Sequence, residues 1–249
     1  MAPNRVPLIS KENKLHRFYL PSLDFNRNYL EIFDNRIVHQ AGKVLRMRTD
    51  NFFRLFDGKK EYQVQIAEIN KRRILVRKVQ ELKNKAEPKV KVSLYQAIPK
   101  KPALFELVVQ KATEIGVSEI FPLVTERTEN RRMSKFQRLQ LIAMEATEQC
   151  SRMKIPVIRH PVNYDEIIGH LSNGFIAYEY EGSKYLADYE KDMKGASEIQ
   201  IIIGPEGGLS ESELALAKKS SVKPFGLGPR ILRTETAAIA ALSLMMLKK

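Results

Sequence analysis

The chain has 249 residues, of which 43% are hydrophobic, and carries 42 Lys and Arg against 29 Asp and Glu, a formal net charge of +13. This length suits one large domain or two smaller ones. The lack of an apolar run of about 18 residues and of a signal-peptide pattern at the start argues against membrane and secreted classes and predicts a cytoplasmic protein. One cysteine, Cys150, and four dispersed histidines predict neither an internal disulfide nor a metal site.

The positive charge is distributed unevenly along the chain. Residues 1–85 hold 19 basic and 9 acidic side chains, a net of +10, which leaves +3 for the remainder. A basic region of this kind favours an acidic partner, and nucleic acid is the partner that we predict. The alternative is a solvated surface whose charge only maintains solubility.

The first third of the chain is rich in short β-type runs. The runs within residues 15–79 are HRFYL, FRLFDG, EYQVQIAEI and RILVRKV, separated by turn and charge clusters. This pattern predicts a small β-barrel or β-sheet module. Residues 34–48 carry apolar residues at helical spacing and predict a helix that presents Lys43, Arg46 and Arg48. The polar stretch 81–89 is typical of a linker, so we predict two domains, 1–80 and 90–249.

After residue 89 the pattern changes to apolar runs that alternate with helical segments. This alternation predicts an α/β domain with a parallel sheet and helices on both faces. Residues 103–115 form a predicted helix that Gly116 ends, and residues 135–150 form a second. The predicted buried strands are VSLYQAI, EIFPLV, FIAYEY and IQIIIG.

A glycine-rich loop follows the last of these strands. Residues 204–210 read GPEGGLS, and three glycines in five residues let a backbone approach a ligand closely. Ser210 and Glu213 are spaced as a capping box at a helix start. Loops between a strand's carboxyl end and a helix are where open α/β sheets bind ligands. The alternative is a tight turn that needs glycine for its geometry alone.

A second loop, residues 224–230, precedes an apolar run at 237–247. The two loops together predict one ligand pocket, and the run is apolar nearly all round, which predicts burial in the core or in a subunit interface. Arg233 and Glu235 lie just before this run. Charged residues at such a position favour a functional role, with a plain ion pair as the alternative.

Other site chemistries lack their sequence signals: GxxxxGK[ST], GxGxxG, HExxH and GxSxG are all missing. The segments GPEGGLSESE, LGPRILRTETAAIAAL, QKATEIGVSEIFPLVTERT and EATEQCSR resemble the RsmE family of bacterial small-subunit ribosomal RNA uridine-N3 methyltransferases. The resemblance covers almost the whole chain. It implies a small PUA-like β-barrel followed by a SPOUT domain whose C-terminal segment forms a trefoil knot, a topology that general folding rules disfavour.

The resemblance also implies a cofactor, a set of site residues and an assembly. S-adenosylmethionine is the expected cofactor, and a homodimer with active sites at the interface is the expected assembly, with ribosomal RNA or an assembled small ribosomal subunit as partner. No metal or membrane is expected. The expected cofactor-binding residues are Ala177, Tyr178, Gly204, Pro205, Glu206, Gly207, Gly208, Leu227, Gly228, Ile231, Leu232, Arg233 and Thr236.

Methylation at uracil N3 requires loss of the ring proton, so the site must stabilise an anion or offer a base. We hypothesise that Arg233 stabilises the anionic uracil and that Glu235 orients Arg233 or the cofactor. Guanidinium groups bind phosphates through paired hydrogen bonds, and polar side chains at the end of the helix predicted for 135–150 are candidates for contacts with the RNA. The predicted RNA-binding residues are Arg17, Lys43, Arg46, Arg48, Gln149 and Arg152.

Two other functions remain open at this point. The first is a methyltransferase of the same fold that acts on another RNA target, such as transfer RNA or a ribose 2′-hydroxyl. The second is a non-catalytic RNA-binding factor in ribosome assembly, which the basic first third alone would support.

Overall fold

A computed structural model describes residues 15–133, 135–179, 181–182 and 184–246. The chain divides into two compact units, residues 1–85 and 86–249. Among the described residues no helix is long and apolar enough to cross a membrane.

The first unit is a five-stranded sheet in the order β1-β3-β4-β5-β2. β1 pairs with β3 in parallel, and the other neighbours are antiparallel. Its buried residues include Phe18 and Phe53, whose rings meet edge to face with centroids 5.3 Å apart. The strands are β1 Arg17–Tyr19, β2 Tyr29–Ile32, β3 Phe52–Phe56, β4 Glu61–Ile69 and β5 Ile74–Leu82.

The helix of this unit ends earlier than the sequence pattern predicts. Helix α1, Asn35–His39, begins where the Asp34 side chain accepts a hydrogen bond from the Ile37 amide, and a π-helical turn, Gln40–Val44, continues it. Arg46 then adopts a left-handed conformation with φ of 52°, which stops the helix.

The second unit is built around a parallel sheet with the path β12-β10-β11-β6-β7-β8, and β9 also pairs with β7. The α/β class predicted for this part of the chain is confirmed. The strands are β6 Lys91–Ala97, β7 Glu119–Val124, β8 Val157–Ile158, β9 Val162–Asn163, β10 Gly174–Ala177, β11 Glu198–Ile203 and β12 Lys223–Phe225. The helices are α2 Pro102–Ile115, α3 Phe136–Gln149, α4 Tyr164–Ile168, α5 Glu190–Met193, α6 Glu211–Lys219 and α7 Thr234–Met246, and a 3₁₀ turn, Leu186–Tyr189, leads into α5.

The central strands of this sheet are buried on both faces, as their continuous apolar sequences require. Ile201 and Leu94 pair across β11 and β6, and both are fully buried. Helix α2 ends at Gly116 with φ of 120°, and helix α7 packs against α2 with Ala238 and Leu242 fully buried. The trefoil knot stays a prediction.

The segment that links the two units is shorter in the structure than the linker predicted at residues 81–89. β5 continues to Leu82, and the carboxylate of Glu87 accepts hydrogen bonds from Arg152 and from the amides of Met153 and Lys154. Glu87 therefore belongs to the second unit, because its partners follow α3.

Candidate cofactor cleft

A cleft opens where three neighbouring strands of the parallel sheet end. β10, β11 and β12 run in the same direction, so the segments that follow them meet at one edge of the sheet. The cleft has a volume of about 240 Å³. It is lined by Ala177, Tyr178, Glu179, Ile203, Gly204, Pro205, Glu206, Gly208, Leu209, Leu227, Gly228, Arg230, Ile231, Leu232, Arg233, Thr234 and Ala237.

The first glycine loop, residues 204–210, is held by the start of α6. The predicted capping box is present: the Glu213 amide donates to Ser210 Oγ at 3.2 Å, and the Ser210 amide donates to Glu213 Oε2 at 2.9 Å. Gly208 has φ of 68°, a conformation that glycine adopts without strain. A β-carbon on Gly208 would also lie 2.7 Å from Glu179 Oε1, so the loop backbone passes close to a carboxylate of the cleft.

The second glycine loop, residues 226–233, forms the opposite wall. Gly228 has φ of 100°, and the nearest atom to a β-carbon there would be Arg230 Nη2 at 3.9 Å, so its backbone borders open space. Ile231 is 80% exposed, and Leu227 and Leu232 line the same wall. Exposed backbone beside apolar side chains is suited to a flat heterocycle, because the backbone can hydrogen-bond to the polar edges of the ring and the side chains can pack against its faces.

A chain of hydrogen bonds joins the two loops at the floor of the cleft. Thr234 Oγ1, in the first turn of α7, donates to the Gly204 carbonyl oxygen at 2.6 Å. Gln96 Nε2, near the end of β6, donates to Thr234 Oγ1 at 2.8 Å. Gln96 and Thr234 are buried, so these contacts fix the second loop relative to the end of β11.

The cleft brings together 11 of the 13 residues that were predicted to bind a cofactor. Gly207 and Thr236 do not line it. The Gly207 carbonyl accepts a hydrogen bond of 2.8 Å from Arg127 Nη1, and the exposed Thr236 lies one position beyond the buried Glu235. The placement of these two residues in the cofactor site stays a prediction.

The two charged residues predicted for catalysis are placed differently. Arg233 is exposed and lines the cleft. Glu235 is 9% exposed and does not line it, and among the described residues no hydrogen bond or ion pair joins it to Arg233. The described residues thus show no contact through which Glu235 would orient Arg233, because side chains two positions apart at a helix start face different directions. A role of Glu235 toward the cofactor stays a prediction.

Two of the predicted RNA-binding residues, Arg17 and Arg152, are buried and form ion pairs. Arg17 Nε donates to Glu61 Oε1 at 2.8 Å, with the two side chains 2% and 3% exposed. Arg152 is 3% exposed and donates to the carbonyls of Thr113 and Val117 as well as to Glu87. Neither guanidinium is presented to solvent, so both residues are corrected from RNA contacts to structural residues.

The remaining predicted RNA-binding residues are on the surface. Lys43, Arg46 and Arg48 are exposed around the end of the π-helical turn in the first unit. Gln149, the last residue of α3, is exposed in the second unit. Their role in RNA binding stays a prediction.

Sequence reasoning missed four polar residues of the cleft region: Gln96, Glu179, Arg230 and Thr234. Glu179 follows β10 by two positions, and a polar residue just past a strand's carboxyl end is a usable signal. Gln96 gives no such signal, because it lies inside a strand and its partner is 138 residues away. Among the described residues no group of His, Cys, Asp or Glu could hold a metal ion.

Comparison with known proteins agrees with this architecture. A family model described as an RNA methyltransferase domain matches residues 86–246, and one described as an RNA methyltransferase PUA domain matches residues 33–79. The ribosomal RNA small subunit methyltransferase E of Rickettsia conorii is 34% identical over 92% of this chain and 94% of its own length. The protein of the same name from Aquifex aeolicus is 31% identical over 93% of this chain and 99% of its own length.

A solved structure is similar over both units. It is that of a ribosomal RNA small subunit methyltransferase E from Neisseria gonorrhoeae bound to S-adenosyl methionine. It has a TM-score of 0.84 and 30% identity, and the match covers 93% of this chain and 97% of that one.

The fold, the paired glycine loops and the matched domains define an RNA methyltransferase of the SPOUT class with a PUA-like unit before it. Within that class, the chain belongs to the ribosomal RNA small subunit methyltransferase E family, the RsmE family.

Proposed function

We propose that this protein uses S-adenosylmethionine to methylate N3 of a uridine in small-subunit ribosomal RNA. The observation that carries the proposal is the cleft between the two glycine loops. A relative of the same family is bound to S-adenosyl methionine, and the cleft of this chain offers open backbone at Gly228 beside the apolar wall of Leu227 and Ile231. These features fit an adenosine-containing ligand.

The residues of the cleft would hold the cofactor by shape and by backbone hydrogen bonds. Leu227, Ile231 and Leu232 would cover the adenine, and the backbone around Gly204 and Gly228 would meet its polar edges. The cofactor supplies the methyl group as a sulfonium electrophile. Positioning of the acceptor nitrogen beside that group is the main task left to the protein.

The acceptor nitrogen of uracil carries a proton that must pass to solvent before N3 can take the methyl group from the sulfonium sulfur, which would leave as a neutral thioether. Arg233 lines the cleft and is exposed, so its guanidinium can face a base that enters from solvent. A cation beside the ring carbonyls stabilises the uracil anion and lowers the free energy of deprotonation. Arg233, which the resemblance also places among the cofactor-binding residues, acts on the base in this mechanism.

The test of the target atom is nucleoside analysis. The protein is incubated with methyl-labelled S-adenosylmethionine and either small ribosomal subunits or transfer RNA, and the digested RNA is examined by mass spectrometry. Label in 3-methyluridine supports the proposal. Label in a ribose 2′-O-methyl group or in transfer RNA supports the second enzymatic reading, and no cofactor binding in a titration supports the non-catalytic assembly factor.

The test of Arg233 separates catalysis from cofactor binding. Arg233→Ala is expected to lower the turnover number about 100-fold or more, the scale seen when one preorganised donor is removed, while the dissociation constant for S-adenosylmethionine changes little. Arg233→Lys keeps the charge and is expected to retain part of the activity. Normal turnover in Arg233→Ala would remove Arg233 from the mechanism.

We also propose that the protein acts as a homodimer. Leu244 of α7 is 50% exposed and Ile231 at the mouth of the cleft is 80% exposed, and large exposed apolar side chains of this kind suit a subunit interface. Light scattering coupled to gel filtration measures the mass in solution. A monomer at micromolar concentration would contradict this proposal without affecting the cofactor site.

A further inference from the structure

Two loops beside the cofactor cleft carry all of the surplus positive charge of the second unit. We call residues 98–101 and 125–133 the edge loops, because they follow β6 and β7 at the same edge of the sheet as the cleft. They contain five basic and two acidic side chains, a net of +3. The other residues of 86–249 hold 18 basic and 18 acidic side chains.

The edge loops are attached to the first glycine loop. The Lys100 amide donates to Glu206 Oε1 at 3.0 Å, and Arg127 Nη1 donates to the Gly207 carbonyl at 2.8 Å. Glu206 and Gly208 line the cleft. The charge of the edge loops is therefore placed directly beside the cofactor site.

Polar groups of the second edge loop are hydrogen-bonded within the loop and to the start of α6. The Thr125 amide donates to Thr128 Oγ1 at 2.9 Å, and the Glu126 amide donates to Glu213 Oε1 at 2.8 Å. Ser212 Oγ donates to the Glu126 carboxylate at 3.1 Å, and hydrogen bonds from the Ser210 and Ser212 side chains hold the pKa of Glu126 below its ordinary range. These contacts hold the loop mainly through its backbone and its hydroxyl and carboxylate groups, and Arg131 Nη2 adds a long hydrogen bond of 3.4 Å to the Glu126 carbonyl.

Three basic side chains of the edge loops remain available to an outside partner. Lys101, Arg131 and Arg132 are exposed, and within the described ranges no carboxylate lies within 4.0 Å of their charged groups. Glu129 is paired with Lys100 Nζ at 2.6 Å, so it does not neutralise them. The long hydrogen bond from Arg131 Nη2 to the Glu126 carbonyl oxygen leaves the Arg131 charge without a counter-ion among the described residues. Exposed cations without a carboxylate partner beside the cofactor cleft are suited to phosphates.

We propose that the edge loops bind the phosphodiester backbone of the RNA beside the nucleotide that is methylated. This inference rests on the proposed function and adds an RNA-binding surface to the unit that holds the cofactor. Lys101, Arg131 and Arg132 neutralise phosphates, while Lys100 and Arg127 connect that surface to the glycine loop. The phosphates flanking the acceptor are then held by the same unit that positions the methyl donor.

The test uses the full-length triple variant K101Q/R131Q/R132Q and a transcript of small-subunit ribosomal RNA. None of the three residues lines the cofactor cleft, so the affinity for S-adenosylmethionine, measured by calorimetry, is expected to stay within about twofold of wild type. RNA affinity is expected to fall about tenfold or more. The plot of log affinity against log salt is expected to become less steep by about 2 to 3, because each phosphate contact contributes roughly 0.7 to 0.9.

A matched control removes the same charge elsewhere on the second unit. In K154Q/K218Q/K219Q all three side chains are exposed. Lys218 and Lys219 end α6, and Lys154 precedes β8, so these residues lie toward the amino edge of the sheet. The control is expected to bind RNA much more like the wild type, with a salt slope close to the wild-type value.

The outcomes separate this inference from the proposed function. If wild type methylates and binds the RNA but the edge-loop variant keeps the wild-type affinity and salt slope, the inference is overturned and the proposed function stands. Equal losses of RNA affinity in both triple variants also overturn it, because the losses would then follow from the lower net charge of the protein and not from the position of the edge loops. If wild type neither binds nor methylates the RNA, the proposed function fails and the inference fails with it.

Discussion

The backbone of Gly226 passes so close to Glu181 that a β-carbon on Gly226 would lie 2.2 Å from the Glu181 carbonyl oxygen. The Gly226 amide also donates to the Lys184 carbonyl at 2.8 Å, so the start of the second glycine loop is fixed against the segment that follows β10. Both atoms that approach Gly226 belong to backbone, and they cannot move aside as the end of a flexible side chain would.

Gly226→Ala is therefore expected to destabilise the protein by about 1–3 kcal/mol and to weaken cofactor binding, because the loop must shift to admit a methyl group. Gly182→Ala is the matched control, since a β-carbon there meets nothing within 4 Å. Thermal unfolding and cofactor titration measure the two effects. Equal stability of the two variants would contradict the close approach.

The hydroxyl of Thr234 is expected to matter more than its methyl group. Thr234→Val leaves the Gly204 carbonyl without this donor and takes an acceptor from Gln96, at a cost of about 1–3 kcal/mol for buried polar groups left unpaired. The dissociation constant for S-adenosylmethionine is expected to rise roughly tenfold. Thr234→Ser keeps the hydroxyl and is expected to bind nearly as wild type. Similar affinities of the valine and serine variants would show that the hydrogen bond does not set the loop position.

Arg17 is expected to act on stability and not on RNA contacts. Removal of one partner from a buried ion pair leaves a charge without compensation, so Arg17→Ala is expected to lower the free energy of unfolding by about 3–5 kcal/mol. Denaturant unfolding of the wild type and of Arg17→Ala measures this difference in the free energy of unfolding. A stable Arg17→Ala variant with weak RNA binding would restore the original assignment of Arg17.

The exposed cations of the first unit give the opposite pattern. K43Q/R46Q/R48Q is expected to leave the free energy of unfolding within about 1 kcal/mol, because exposed substitutions have small effects. Its RNA affinity is expected to fall and its salt dependence to become less steep. Filter binding at several salt concentrations measures both. An unchanged salt slope would show that these residues are ordinary solvated surface.

Glu87 makes stability depend on pH. Burial raises the pKa of its carboxyl, but hydrogen bonds from Arg152, Lys154 and Met153 outweigh burial and hold the pKa below the ordinary value of 4.5. The folded chain then binds the proton less readily than the unfolded chain does. The stability contributed by this carboxylate is therefore present above about pH 4.5 and lost as the pH falls through the folded-state pKa.

Glu87→Gln is expected to lower the free energy of unfolding at neutral pH and to reduce its decline in acid. Glu190→Gln, which alters an exposed carboxylate at the start of α5, is the control and is expected to keep the wild-type decline. Denaturant unfolding of the wild type and of both variants at several pH values between about 3 and 7 measures how the free energy of unfolding depends on pH. The assignment fails if all three proteins lose stability in parallel.

Local signals in the sequence predicted local structure well. Ser210 and Glu213 marked the start of α6 and Gly116 marked the end of α2, because caps depend on neighbouring residues. Burial of charged residues could not be predicted in this way. The partner of Arg17 is 44 residues away and that of Arg152 is 65 residues away, so only the folded chain reveals the ion pairs.

The cleft itself was predictable because strand, glycine loop and helix start follow one another twice in the sequence. The hydrogen bonds at its floor were not, since Gln96 and Thr234 meet only when β6 and α7 come together. Strand β2, with four residues at the edge of the first sheet, was missed as well. Short edge strands depend on their neighbour, here β5, more than on their own pattern.

The balance of charge in the second unit has one consequence for how a polyanion approaches. With 18 charges of each sign elsewhere, the net charge of +3 of this unit equals that of the edge loops, which contribute an electric dipole component directed toward the carboxyl edge of the sheet. A dipole in the field of a polyanion experiences a torque before any contact is made. The carboxyl edge of the sheet is thereby turned toward the polyanion, and the first encounters are biased to the face that carries the cleft.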